Sequence, residues 1–144
     1  MPNTSKRAAD HGPVQHLNPD GLSKNPAFTQ AIVVTGAAKT IYLGGQDAVD
    51  KSGKIVGKGD LKAQTEQILK NIQAALAAAG AQPEHVVKWN IYVVQGQSVQ
   101  QGYAAFQSVW GNLPNPPVIT VVFVASLGHP DFLAEIDAIA VVPE

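Results

Sequence analysis

Two apolar rhythms alternate along this chain. β-Branched runs at Ala31–Thr35 (AIVVT) and Thr40–Gly44 (TIYLG) predict two short strands, and the Gly36–Lys39 stretch between them suits a hairpin turn. The second run ends in Gly44-Gly45-Gln46, where paired glycines predict a bulge, or backbone that another group approaches closely. Asp47–Gly59 is turn-rich, with Lys51-Ser52-Gly53 at its tip. The period then lengthens. Leu61, Ile68, Leu69, Ile72, Ala75, Leu76 and Ala79 recur at helical spacing, with Lys62, Glu66, Lys70 and Gln73 on the wet side. Asp60 can cap this helix through its carboxylate, and Gly80 followed by Pro83 ends it.

The two-residue period returns in Val86–Val94, with Trp89, Ile91 and Val93 on one side and Lys88, Asn90 and Tyr92 on the other. Ser98 can cap a second helix whose apolar face is Val99, Tyr103, Phe106 and Trp110, and Asn112–Pro117 (NLPNPP) breaks it. Val118–Val124 (VITVVFV) predicts a buried strand, Ala125–Asp131 a loop, and Ala134–Val142 (AEIDAIAVV) the last strand. The order is β-β-α-β-α-β-β, an α/β (α+β) fold with one mixed sheet and both helices on one face. Strands that are apolar on both sides require cover on the remaining face, and a closed ring of subunits would supply it.

Composition narrows the picture without redrawing it. With 144 residues, 45% hydrophobic and 15% charged, the chain fits one domain over residues 14–144 behind a polar N-terminal extension, residues 1–13. No apolar segment follows Lys6 and Arg7, which argues against a secretory signal, and no run approaches a membrane span. The absence of cysteine excludes disulfides and thiol chemistry and fits a cytoplasmic protein. A net charge of −1 offers no whole-chain footprint for nucleic acid or anionic lipid.

Candidate chemistry concentrates at the C-terminal strand. Glu135 and Asp137 lie two apart and share one side of it. The plain reading is a solvated sheet edge. The functional one is a pocket carboxylate serving as general base or binding a cation or hydroxyl. With no histidine at ligand spacing, a metal site is not expected. His129 in Gly128-His129-Pro130-Asp131 reads first as a loop cap and second as a proton shuttle. His11, His16 and His85 have no partners in sequence. Gly44-Gly45-Gln46 is not a phosphate loop, although its backbone N–H groups can serve an anion.

Six stretches carry a further signal: Pro26–Gln30 (PAFTQ), Ile41–Gln46 (IYLGGQ), the helix Gln64–Ala79 closed by Gly80, Val86–Val93 (VVKWNIYV), Phe106–Trp110 and Pro117–Ala140. In this order, over roughly residues 13–142, they resemble the RidA/YjgF family of reactive-intermediate deaminases, in older usage L-PSP endoribonucleases. The resemblance implies a chorismate-mutase-like fold and a homotrimer with small-metabolite clefts between subunits. It further implies cofactor-free hydrolysis of imines and enamines such as 2-aminoacrylate, with an arginine clamping the substrate carboxylate and a glutamate assisting proton transfer.

The family glutamate corresponds to Glu135 and the family glycine to Gly45. At the other pocket positions the chain departs from the pattern: Phe28 for a tyrosine, Gly44 for a serine, Gln107 for an asparagine, Val121 for a cysteine, and Ile119 for the arginine. A guanidinium pairing a carboxylate contributes about 1.5–3 kcal/mol per charge-assisted bond, and isoleucine contributes none. The only arginine in the chain is Arg7. Efficient 2-aminoacrylate hydrolysis is therefore not expected. Two readings stand: a cleft hydrolysing a related, less acidic substrate through Glu135, and a non-catalytic metabolite-binding or regulatory trimer. Ribonuclease activity ranks last, since no basic face with interleaved aromatics is present.

Overall fold

The computed structural model describes residues 13–144. Of the extension expected over residues 1–13, all but Pro13 lies outside the described residues, as does His11. The elements are β1 (Val14–Leu17), β2 (Ala31–Val34), β3 (Ala38–Gln46), α1 (Leu61–Ala78), a 3₁₀ turn (Pro83–His85), β4 (Val86–Val94), α2 (Val99–Val109), β5 (Val118–Val124) and β6 (Ala134–Pro143). β3, β6, β4 and β5 form a mixed sheet in that order. β6 runs antiparallel to β3 and β4, and β4 runs parallel to β5.

The expected α+β order holds, with one strand added and one pairing changed. β2 does not hairpin with β3. It pairs with β1, from Val14↔Val34 to Leu17↔Ala31, and Gly36 (φ 78°) turns the chain into β3, which pairs along β6. β1 gives little signal in sequence because two of its four residues, Gln15 and His16, are polar. β3 reaches past its β-branched core to Gln46, with a register shift between Leu43 and Gln46 at the glycine pair.

α1 forms where the period placed it. The Asp60 carboxylate accepts from Ala63 N at 3.1 Å, satisfying one of the donors a helix start leaves open. At the other end Gly80 (φ 75°) allows the N–H of Ala81 to donate back to Leu76 O and its own N–H to Ala77 O, a Schellman closure. Leu61, Ile68, Leu69, Ile72 and Leu76 are buried against Trp89, Val93, Ile136, Ala138 and Ala140 of the sheet. α2 packs beside α1, and Phe106 and Trp110 meet Trp89 edge-to-face at 5.5 and 4.9 Å between ring centres. Both helices thus cover one face of the sheet.

Two expected burials are not found within a single chain. Of α2, Ala105 alone is fully buried, while Val99 and Tyr103 are 48% and 58% exposed. β5 is an edge strand whose Val121, Val122 and Phe123 are exposed, because no described residue pairs with its outer side. On the helix-free face Tyr42 is 78% exposed. No helix among the described residues is long and apolar enough to cross a membrane.

The two helix starts differ in a testable way. Ser98 precedes α2 without a side-chain cap bond. Asp60→Ala should cost about 1 kcal/mol in urea unfolding, while Ser98→Ala should stay within a few tenths of wild type. Equal losses would contradict this account of α1.

Candidate functional site

Strand alternation decides where each candidate points. On β6, Ala134, Ile136, Ala138 and Ala140 are buried under the helices, so Glu135 and Asp137 project from the opposite face. Their partners across the sheet are Tyr92 and Asn90. Asp137 is occupied structurally, since Asn90 Nδ2 donates to its Oδ1 at 2.8 Å. Glu135 instead lies over the glycine bulge of β3. A Cβ built on Gly45 would overlap Glu135 Oε2 and come within 2.9 Å of its Cδ. The absent Cβ of Gly45 leaves the space that the Glu135 carboxyl occupies, a close approach the glycine pair suggested, while Gly44 faces open space.

The residue that sequence reasoning missed is Asp47. The glycine bulge turns the chain so that Asp47 is carried next to Glu135. Its Oδ1 is buried, and no donor among the described residues reaches it. Burial, then a hydrogen bond with the Glu135 carboxyl and the charge of that carboxylate, push Asp47 from the ordinary value near 3.8 up to about 7. A bond between two carboxyls requires a proton held within the pair. The only sequence signal was position: an acid immediately following the Gly44-Gly45-Gln46 bulge. Gly45, Gln46, Asp47 and Lys51 border an open cleft of about 450 Å³.

The other candidates gather elsewhere. Phe28, Gln107, Ile119 and Val121 line a cavity of about 740 Å³ between α2, the segments around residues 25–28 and 111–117, and the helix-covered face of β4 and β5. Ile119 pairs with Trp89 and shares its side of the sheet. Within one chain, therefore, Ile119 and Glu135 lie on opposite faces. His129 joins neither group. Its Nδ1 accepts from Asp131 N at 3.0 Å and its ring leans on Phe132, which makes it a loop cap. His16 lies 3.3 Å from Thr29 Oγ1, its pKa lowered by burial, and His85 caps its own 3₁₀ turn. Among the described residues no cluster of three or more His, Cys, Asp or Glu could hold a metal ion.

The raised Asp47 pKa carries a stability signature. The folded state binds a proton more firmly than the unfolded chain, so stability contributed by this group is lost as pH rises from about 4 through about 7. Asp47→Asn removes that loss. Relative to wild type, the variant's urea midpoint should rise between pH 5 and pH 8, and parallel curves over that range would sink the assignment.

Known proteins bear on this geometry. The family described as Endoribonuclease L-PSP matches residues 22–142. A RutC family protein of Pyrococcus horikoshii is 36% identical over 114 residues, covering 78% of this chain and 85% of that protein. Protein DfrA of Myxococcus xanthus is 34% identical over 79% of this chain and 84% of its own. Among solved structures, a Rid family protein of unknown function, YyfB from Yersinia pestis, superposes with a TM-score of 0.78 at 30% identity, over 89% of this chain and 98% of that one. RidA from the Antarctic bacterium Psychrobacter superposes with a TM-score of 0.64 at 30% identity, over 79% and 87%.

Proposed function

Because this chain belongs to the RidA/YjgF family of L-PSP endoribonuclease-like proteins, we propose that it binds a small metabolite lacking a carboxylate and hydrolyses an imine, enamine or related bond in it through Glu135. The observation that carries this is the carboxyl pair: Glu135 seated on Gly45 beside Asp47, whose proton is retained up to about pH 7. Two adjoining carboxyls that hold a proton between them offer a donor and an acceptor at one place, the arrangement that acid–base hydrolysis needs near neutrality.

For an imine the steps balance simply. Glu135 accepts a proton from water as the water oxygen bonds to the imine carbon, and the nitrogen takes up a proton from Asp47. Glu135 then gives its proton to the amine nitrogen as the C–N bond breaks and ammonia leaves, and the hydroxyl proton passes to Asp47, giving a carbonyl product and restoring the pair. No cofactor enters. Asp47 borders an open cleft, from which water can approach the pair.

The opposite facing of Ile119 and Glu135 supports a shared cleft between subunits, where the cavity wall of one chain meets the carboxyl pair of the next. A homotrimer with the helix-free sheet faces turned inward would achieve this and cover the exposed Tyr42. A second reading, a metabolite-binding or regulatory trimer without turnover, is favoured by the cavity itself, which presents Ile119 where a substrate carboxylate would need a guanidinium.

Coupling an amino-acid dehydratase to the protein and following imine decay tests the role of Ile119. Wild type should leave 2-aminoacrylate close to its uncatalysed decay, and Ile119→Arg should accelerate it at least about tenfold. Adding Glu135→Gln to that variant should remove the gain and return the decay close to the uncatalysed rate, in keeping with the loss of a general base. Rapid decay with wild type would show that the arginine is dispensable, and an unaffected double variant would remove Glu135 from the chemistry.

A further inference from the structure

The cavity beneath α2 has a chemistry of its own. Its floor is Trp89, packed edge-to-face by Phe106 and Trp110, and its walls include Ile119 and Val121. No described residue that lines it carries a carboxylate, ammonium, guanidinium or imidazole group. Of the polar side chains along it, Thr65 Oγ1 donates to Leu61 O at 2.8 Å and Asn25 Oδ1 accepts from Ala27 N at 2.8 Å, while Tyr103, Gln107 and Asn112 make no side-chain hydrogen bond among the described residues. Gln107, on the exposed side of α2, leaves a carboxamide at the rim. At about 740 Å³ the space has the size of a small-molecule pocket, mainly apolar with few directing groups.

We propose that this cavity binds an uncharged, planar aromatic molecule, its ring against the Trp89–Phe106–Trp110 cluster and its one polar substituent at Gln107. The assignment rests on the ligand-binding reading above and names the class of ligand. Two physical terms select it. A flat ring extends the edge-to-face cluster and removes its exposed apolar surface from water. An anionic ligand would carry an unpaired charge into a space with no cation to meet it, which excludes it more strongly than any shape mismatch. The position of Ile119 on the wall makes it the discriminating residue.

Trp89 and Trp110 are the only tryptophans in the chain, and both line the cavity, so they report occupancy directly. N-phenyl-1-naphthylamine and 1-anilinonaphthalene-8-sulfonate share one ring skeleton and differ by a sulfonate. Titrating each while following energy transfer from tryptophan should show the neutral probe binding at least tenfold more tightly. Ile119→Arg should reduce that preference at least tenfold, and Ile119→Trp, by filling the space, should weaken the neutral probe at least fivefold. Val121→Trp serves the same purpose from the same wall should the first replacement not fold. Lys70→Ala, on the exposed side of α1 and away from the cavity, should leave the neutral probe unchanged. Equal affinity for the two probes, or loss of binding in Lys70→Ala but not in the wall-filling variant, would overturn the proposal. Because the readout needs no turnover, absent probe binding sinks the ligand class alone, whereas probe binding with no hydrolysis of any imine sinks the catalytic reading alone.

Discussion

The two-residue period of β6 is the constraint on which the rest of the molecule depends. β6 is hydrogen-bonded on both sides, to β3 and to β4, so it cannot rotate or slip without breaking two ladders. Its alternate residues Ala134, Ile136, Ala138 and Ala140 are the sheet's contribution to the core, and small side chains there let α1 sit close. The same alternation forces Glu135 and Asp137 to the other face. A slip of one residue would bury two carboxylates and expose the core strip, a change no local contact could offset. The location of Glu135 is therefore as firmly determined as the core itself.

Where that strand begins is fixed by a polar contact. Gln64 is fully buried at the start of α1. Its Nε2 donates to Asp131 O at 2.8 Å and to Gly57 O at 3.2 Å, and its Oε1 accepts from Leu133 N at 2.9 Å. One side chain thereby ties the loop before α1 to the loop that feeds β6, satisfying backbone groups that would otherwise be buried and unpaired. Glutamine at such a position gives no periodic signal, since in sequence it is one more polar residue in an amphipathic helix. Its role exists only once residues 67 and 69 positions further along the chain return to it.

That contrast describes what sequence could reveal. α1 with both of its caps, β4 and β6 were legible because their periods persist over nine or more residues. β1 was not, because four residues with two polar ones carry no period, and without it β2 had no visible partner except β3. The burial expected for β5 and for the apolar face of α2 followed from hydrophobicity alone, and hydrophobicity does not say whether the cover comes from the same chain. Within the candidate site the bulge at Gly44-Gly45 and its close approach were readable from the glycines. Asp47 was not, because its proximity to Glu135 depends on how the bulge redirects the chain.

The separation of Ile119 from Glu135 bears on the expectation that an isoleucine stands where the resembled family carries an arginine. Had both residues of one chain faced one pocket, an isoleucine there would simply deprive the carboxyl pair of its counter-charge. They lie instead on opposite sides of one sheet, so each is set by different surroundings: Ile119 by an aromatic, uncharged cavity and Glu135 by a glycine bulge and a second carboxyl. The cavity is consistent in its chemistry, because an arginine would be the lone charge among Trp89, Phe106 and Trp110, whereas isoleucine continues their surface. The carboxyl pair is equally consistent without an arginine, because a proton shared with Asp47 already relieves the repulsion that a cation would otherwise have to balance. The apolar cavity and the carboxyl pair are thus each self-consistent in the absence of a guanidinium.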